Sequence, residues 1–356
     1  MTIDRRTMIG GAAALGALAT ATATPARAQR APSKPVIDVH THMYSQGWMD
    51  VVNASKNDNF YLGPNRALMY RGHGIGFISD AMLDWDIRIK DMDAAGVDIA
   101  LISLTAPNVY WGSKTENAKA AHAINDDFMA AGLKYDGRIR WMASLPFQDE
   151  PAALEELKRA RKNGAIGICT LTNILGTVLT DPRYKRIWRE IEAMDLPIFV
   201  HPTTPYDDTQ QLGEYGLGNT IGFTTDTSLA FARMIYDGFF DEFPKIKMIA
   251  CHGGGGFPFL MARFDRMWEI SDNARMKIKQ PPSTYTKRIH FDSIVYDDNT
   301  LDFLIKQVGI ENVLYGSDYP FRLGDMKGLR ERVDRLGGEK ADIIRHDNAM
   351  KLFDLS

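Results

Sequence analysis

The sequence has few cysteines, almost no charge imbalance and no long, strongly apolar run, and each shortage excludes a class of protein. Only two cysteines, Cys169 and Cys251, occur in 356 residues, so no disulfide framework is available. Both lie in apolar runs, where a small buried filler is expected. The formal net charge is −3, which lacks the basic excess of a nucleic-acid-binding surface.

Residues 1–28 have the pattern of an export signal. Arg5 and Arg6 precede an uncharged stretch over residues 8–25, and Ala26-Arg27-Ala28 supplies an A-x-A cleavage motif. The adjacent arginines predict the twin-arginine (Tat) route and a periplasmic protein. The stretch is too rich in Ala, Gly and Thr for a good membrane span. We therefore expect a mature chain of residues 29–356 with no membrane span, the alternative being an uncleaved tail or anchor.

The remaining chain alternates between short apolar runs, broken by Gly or Pro, and amphipathic stretches. This order is typical of buried parallel strands joined by crossover helices. A composition that is 45% hydrophobic is sufficient for one large core. The pattern predicts an α/β fold, a single (β/α)8 TIM barrel. Its eight strands are expected at residues 36–40, 97–104, 139–145, 165–170, 197–201, 247–252, 289–291 and 312–316.

One segment departs from this alternation. Residues 43–82 show no clear period and many Gly, Asn, Tyr and Met residues. We expect a small irregular insertion after strand 1. At the catalytic face of a barrel, such an insertion is commonly a lid or a specificity loop.

Polar residues with metal-binding side chains stand at the ends of several predicted strands. His40 and His42 follow the apolar run 36–39 of the first, His201 closes the fifth and Asp318 follows the eighth. In a (β/α)8 barrel these ends converge on one face. Imidazole and carboxylate ligands suit one divalent transition metal, which lowers the pKa of a bound water. The alternative for each histidine alone is a satisfied core or loop residue.

Two of the strand-end residues are candidates for proton transfer. Asp318 is expected to ligate the ion or to take a proton from its bound water. His252 ends the sixth predicted strand before Gly253–Gly256, and we interpret it as an acid/base that polarises a substrate oxygen or moves a proton. A fifth ligand or a simple turn residue are the alternatives. The glycine run lacks the Lys-Ser/Thr ending of a phosphate-binding P-loop.

These motifs resemble one branch of the amidohydrolase superfamily, that of aminocarboxymuconate-semialdehyde decarboxylase and the resorcylate-type decarboxylases. The resemblance implies a (β/α)8 barrel with zinc or a similar ion, such as Mn, Co or Fe, bound by His40, His42, His201 and Asp318, and a catalytic His252. No lysine stands at the end of strand 4, where binuclear relatives carry a carboxylated one, so a single metal is expected. The matching segments are residues 37–42, 199–202, 243–247, 252–259 and 314–321.

The resemblance also suggests substrate residues and a partner. The semialdehyde decarboxylases carry a substrate-binding arginine just before a Trp-Asp pair, which here is Trp85-Asp86; that arginine is missing, and Arg71 is the nearest substitute or else a solvated loop residue. Arg263 matches an arginine that reaches into the neighbouring subunit's site, which implies a homodimer. The alternative is a surface arginine paired with Asp265 or Glu269.

Three functions are compatible with these residues. The first is a metal-dependent decarboxylase, a carbon–carbon lyase acting on an unsaturated or aromatic carboxylate. The second is a metal-dependent hydrolase of a lactone, amide or related carbonyl compound, in which hydroxide attacks the carbonyl. The third is a non-catalytic periplasmic binding protein. All three take a small-molecule carboxylate or carbonyl ligand. Fold and ligand set are common to the first two and leave substrate and metal open.

Overall fold

A computed structural model describes residues 34–55, 57–203 and 212–355. The predicted signal peptide lies outside the described residues. Eight parallel strands form one sheet in chain order, which confirms the predicted (β/α)8 barrel. They are β1 (Ile37–His42), β2 (Ile99–Ser103), β3 (Ile139–Ser144), β4 (Gly167–Leu171), β5 (Ile198–His201), β6 (Met248–Ala250), β7 (Ile289–Asp292) and β8 (Val313–Leu314).

The barrel closes between β1 and the segment that includes and follows β8. The Val39 amide donates to the Tyr315 carbonyl at 3.0 Å, and the His42 amide donates to the Tyr319 carbonyl at 2.8 Å. Asp318 donates its amide to the His40 carbonyl at 2.8 Å. Two of the sequence segments expected to hold ligands are therefore joined backbone to backbone.

Helices surround the sheet, and their ends follow ordinary capping rules. α2 begins where Asp84 accepts hydrogen bonds from two backbone amides, and it ends at Gly96, whose φ is 69°. In the described residues no helix is long and apolar enough to cross a membrane. The helices are α1 (Gln46–Ala54), α2 (Trp85–Ala95), α3 (Lys114–Lys134), α4 (Glu150–Lys162), α5 (Lys185–Ala193), α6 (Phe223–Tyr236), α7 (Phe239–Glu242), α8 (Phe257–Ile270), α9 (Asp272–Arg275), α10 (Asp298–Val308), α11 (Met326–Asp334), α12 (Gly338–Asp342) and α13 (Asn348–Phe353).

The insertion after β1 is more regular than expected. It contains α1 and a three-stranded antiparallel sheet. The irregular interpretation was wrong because the strands are short, their pairing shifts register once, and glycines interrupt the alternation that marks a strand. The sheet consists of Phe60–Leu62, Ala67–Tyr70 and His73–Phe77.

The barrel interior is apolar at the N-terminal ends of the strands. Leu352 and Phe353 of α13 belong to the same buried cluster as the inward-facing strand residues. A Cβ on Gly167, at the start of β4, would lie 3.3 Å from the Phe353 ring, so α13 plugs this end. Cys169 and Cys251 are buried in this cluster as free thiols, as the sequence indicated.

Candidate metal centre and active site

A shift in the pairing of β1 brings both histidines of the HxH pair to the site. Ile37 and Val39 face the barrel interior, and simple alternation would then turn His40 outward. The register of β1 against β2 shifts between Asp38 and Thr41. As a result the His40 ring lies over Phe199 of the interior, with centroids 4.7 Å apart.

Four side chains converge at the C-terminal end of the barrel. His40 Nε2 and His42 Nε2 each lie 3.4 Å from Asp318 Oδ1, and one donor atom from each of these residues and His201 lies within 4.8 Å of the others. Two ligands about 2.1 Å from one ion at tetrahedral angles are separated by roughly 3.4 Å. The close approach of β8 requires Gly316, because a Cβ there would lie 2.8 Å from His40 Cβ.

The unpaired atoms of these side chains face one another. His40 Nε2, His42 Nε2 and Asp318 Oδ1 are buried, and within the described residues they have no hydrogen-bond partner. Buried polar atoms without partners are costly and rare. Because a divalent cation would satisfy all of them at once, the residues present fit a metal site.

The opposite nitrogen of each histidine is already engaged. His40 Nδ1 lies 2.6 Å from Asp292 Oδ2, His42 Nδ1 lies 3.1 Å from Ser103 Oγ, and His201 Nδ1 lies 2.7 Å from the carbonyl of Pro202. Such partners fix the tautomer and the ring orientation of a ligating histidine. His40 and His42 therefore keep Nε2 free for an ion, and His201 Nε2 has a 3.4 Å contact with the Thr105 hydroxyl.

The ligand side chains hold protonation states set by their surroundings. Burial lowers the pKa of His42 to about 4 and lowers that of His201 well below its usual value. Burial would raise the pKa of Asp318, but the histidines around its oxygens outweigh it and hold that pKa well below the usual range. Burial also lowers the pKa of His40, but Asp292 and Asp318 overcome it and raise that pKa to about 9. At neutral pH three of the four groups are thus in the form that ligates a metal, and binding of an ion would require His40 to release its proton.

His252 stands beside this cluster on its open side. Its Nε2 lies 3.6 Å from Asp318 Oδ2, whereas His40 and His42 approach Oδ1, and 13% of its side chain is exposed. Its φ is 55°, a left-handed conformation that is uncommon for residues other than glycine. Held next to a carboxylate yet open to solvent, this imidazole is placed to exchange a proton.

Arg88 contacts both segments that carry expected ligands. The sequence analysis did not predict this role. Its buried guanidinium donates to the hydroxyl of Thr41 and to the carbonyl of His42. It also lies 4.3 Å above the ring of Tyr319, the residue after Asp318. One cation on α2 therefore stabilises both β1 and the segment after β8.

Asp292 and Ser103 are the other residues that sequence reasoning missed. Asp292 carried a signal, because it directly follows the predicted strand 289–291, as Asp318 follows strand 8. Ser103 carried no special signal within its apolar strand. Asp292 and Ser103 belong to the site because they contact ligand histidines. Such contacts cannot be predicted from the sequence alone.

The three predicted substrate residues lie in different places. Trp85 packs against Phe128, at 6.2 Å between ring centroids, on α3. Arg71 is exposed at the turn between two strands of the insertion, 5.2 Å from the ring of Tyr70. Arg263 is exposed on α8. None of the three joins the cluster in the part of the chain that the structure describes.

The expected local partners of Arg263 are engaged elsewhere. Asp265 accepts a hydrogen bond from the Ser283 amide at 2.8 Å, and Glu269 pairs with Arg266 at 2.9 Å. Arg263 therefore forms neither of the two pairs considered for a surface role.

Aromatic side chains border the metal cluster. The ring of Phe321 lies 5.6 Å from that of His42, and the ring of Phe223 lies 6.1 Å from that of His201. Flat apolar walls beside a cation suit a planar, negatively charged ligand.

Comparison with known proteins agrees with this geometry. The amidohydrolase family model matches residues 37–355. A gamma-resorcylate decarboxylase of Rhizobium sp. (strain MTP-10005) is 31% identical over 293 residues, which cover 76% of this chain and 87% of that protein. The 2-amino-3-carboxymuconate-6-semialdehyde decarboxylase of Dictyostelium discoideum is 28% identical over 299 residues, 82% of this chain and 83% of that one.

A solved structure shares the architecture. A 5-carboxyvanillate decarboxylase of Novosphingobium aromaticivorans, determined as a point mutant with bound manganese and 3-methoxy-4-hydroxy-5-nitrobenzoic acid, superposes with a TM-score of 0.77 at 25% identity. The match covers 90% of this chain and 97% of that chain.

Proposed function

Since the chain belongs to the amidohydrolase family of enzymes, we propose that it is a metal-dependent decarboxylase of aromatic or closely related unsaturated carboxylates. One observation carries the proposal: the imidazole of His252 lies 3.6 Å from Oδ2 of Asp318, whereas His40 and His42 approach Oδ1. Relatives matched over most of their length are decarboxylases by name, and this reaction requires a proton donor beside the bound carboxylate.

The reaction exchanges one bond for another. The bond between the substrate carbon and its carboxylate breaks, its electron pair stays on that carbon, a proton forms the new C–H bond, and CO2 leaves. A divalent cation in the cluster would supply positive charge that holds and polarises the substrate's oxygen atoms. His252 donates the proton and recovers one from solvent through its exposed edge. Asp318 stabilises the imidazolium through its second oxygen.

We propose zinc as the resident ion. Three imidazole nitrogens and one carboxylate oxygen are a common zinc donor set, while the similar 5-carboxyvanillate decarboxylase structure holds manganese. Elemental analysis of protein purified without added metal distinguishes the two, and manganese at one equivalent per chain would replace zinc in the proposal.

The test of decarboxylation is a product analysis in D2O. The panel contains 2,6-dihydroxybenzoate and 5-carboxyvanillate, named for similar proteins, with matched lactones. We expect CO2 and one deuterium on the carbon that lost the carboxylate. Metal-loaded His252→Gln serves as the control and should release CO2 about 10²- to 10⁴-fold more slowly. A product that gains one water and keeps its carboxylate would instead show a hydrolase.

We also propose that the enzyme is a homodimer that shares its sites. Arg263 lies on the same helix as three exposed apolar side chains, Phe259, Met267 and Ile270, which are 76%, 50% and 60% exposed. Together they form a surface that a second copy would cover. Arg263 is then free to present its guanidinium fork to a substrate carboxylate in the partner's site.

Mixing two weakened variants tests the shared site. Arg263→Ala and His252→Ala should each retain their metal and show weakened turnover, yet a mixture should recover some activity, because a mixed dimer contains one complete site. Sedimentation should show a dimer. A fully active monomer, or a mixture without recovery, would contradict the shared site.

For location, we propose export through the twin-arginine route with cleavage after Ala28, on the basis of the motif in residues 1–28. N-terminal sequencing of the exported protein should begin at or near Gln29. Replacement of Arg5 and Arg6 by lysine should retain the chain in the cytoplasm, whereas unimpaired export would contradict the proposal.

A further inference from the structure

We propose that Asp292, at the end of β7, is a positioning residue. It fixes the position of the ligand His40 relative to that of the proton carrier His252. Its carboxylate is wholly buried and accepts four hydrogen bonds. Oδ2 lies 2.6 Å from His40 Nδ1 and accepts the His252 amide at 2.8 Å. Oδ1 accepts the amides of Gly253 at 2.9 Å and Ile294 at 3.0 Å.

This arrangement singles out His40 among the three ligand histidines. The outer nitrogens of His42 and His201 meet neutral groups, a serine hydroxyl and a backbone carbonyl. Among the described residues, a carboxylate meets the outer nitrogen of His40 alone; it orients the ring and makes the other nitrogen a stronger donor to a metal. The metal affinity of the site should therefore depend more on Asp292 than on Ser103.

The same carboxylate holds the turn that aims His252. His252 and Gly253 are consecutive left-handed residues, with φ of 55° and 61°, and their amides converge on Asp292. A turn of this kind needs an acceptor for its amides. If the acceptor is lost, the turn relaxes and His252 Nε2 moves away from Asp318 Oδ2.

A second metal site at Asp292 is the competing interpretation. His40, Asp292 and Cys251 lie close enough to bind an ion. Each oxygen of Asp292, however, already accepts two hydrogen bonds, and an ion there would face N–H groups. The geometry therefore favours a positioning role.

The decisive variant is Asp292→Asn. Its amide keeps one accepting oxygen and turns an NH2 group toward two N–H donors, so two of the four bonds are lost whichever way it rotates. The matched control is Asp226→Asn, a largely buried carboxylate that accepts hydrogen bonds from the Thr172 hydroxyl and, at 3.0 Å, from the Thr203 amide and, within the described residues, from no ligand side chain. Chelator competition measures the Zn²⁺ affinity of both variants and of the intact protein.

We expect Asp292→Asn to lose about 10- to 100-fold in Zn²⁺ affinity, the usual effect of an outer partner of a metal ligand, and Asp226→Asn to stay close to the intact protein. With Zn²⁺ at saturation, Asp292→Asn should still show a lowered kcat and a shifted pH profile, because His252 is displaced. The visible spectrum of the Co²⁺-loaded protein should change in Asp292→Asn alone. Ser103→Ala should cost less affinity than Asp292→Asn.

Unchanged affinity, spectrum and pH profile in Asp292→Asn would overturn the inference, as would a second equivalent of bound metal that this variant loses. If Asp292→Asn does not fold, Asp292→Glu replaces it: its longer side chain cannot make the four bonds together, and an affinity equal to that of the intact protein would equally overturn the inference. The inference rests on the proposed metal site. The experiment distinguishes failure of the metal site from failure of the positioning role. Absence of Zn²⁺ affinity in the intact protein would contradict the metal site, whereas unchanged affinity in Asp292→Asn would contradict only the role of Asp292.

Discussion

The two ends of the barrel contain opposite kinds of buried side chain. At the N-terminal ends of the strands, Leu352 and Phe353 fill the interior with apolar contacts. At the other end the buried groups are polar, and some, such as His40 Nε2 and Asp318 Oδ1, have no partner within the described residues. Leaving such a group unpaired costs about 1–3 kcal/mol. One end should therefore carry stability and the other function, so substitutions at the two ends should have separable effects.

Removing a ligand should have the largest effect at the polar end. His201→Ala should lose metal and more than about 100-fold of activity, because a ligand contributes more than its outer partner. Elemental analysis and turnover of the same preparation measure both. Full metal content together with full activity would show that His201 is not a ligand.

Replacing His252, the proposed proton donor, should separate chemistry from metal binding at the same end. Metal-loaded His252→Gln should retain its ion and lose about 10²- to 10⁴-fold in kcat, the usual contribution of a general acid. Elemental analysis serves as the control in this experiment. Loss of the metal instead would indicate that His252 is a fifth ligand.

At the apolar end, the effect should fall on stability. Phe353→Ala leaves a cavity under the barrel and should lower the free energy of unfolding by about 3–5 kcal/mol, measured by urea denaturation. Metal content and kcat at 25 °C should remain those of the intact protein. A variant that is stable but inactive would show that the two ends are coupled.

The partly buried His290 offers a further test of the link between the apolar end and stability. Burial, with the charges of Lys247 and Lys351, lowers the pKa of His290 to about 4. The unfolded chain binds a proton near pH 6.5 but the folded protein does not until pH 4 or so, so this part of the stability is present above pH 6.5 and is lost as the pH falls toward 4. We expect a loss of roughly 2–3 kcal/mol across that window.

His290→Asn should remove this part of the pH dependence. Urea denaturation at several pH values between 4 and 7 compares the variant with the intact protein in the presence of metal. Identical pH profiles would mean that His290 does not titrate as its burial indicates.

The sequence was most informative where metal-binding side chains stand at the ends of predicted strands. His40, His42, His201 and Asp318 could be placed together because strand ends of a parallel barrel share one face, and the eight predicted strands differ from the observed ones only at their ends. The insertion was predicted, but its three-stranded sheet was missed because the strands are too short to show a period. Asp292 and Arg88 were missed because their function lies in which groups they contact, and such partners are fixed by tertiary structure.

The most direct test of the central claim is the position of the metal in a crystal of the loaded protein, located by anomalous scattering at the metal edge. The account predicts one peak per chain, within bonding distance of His40 Nε2, His42 Nε2, His201 Nε2 and Asp318 Oδ1. A peak bound instead by Cys251 and Asp292, or no peak in fully active protein, would contradict it.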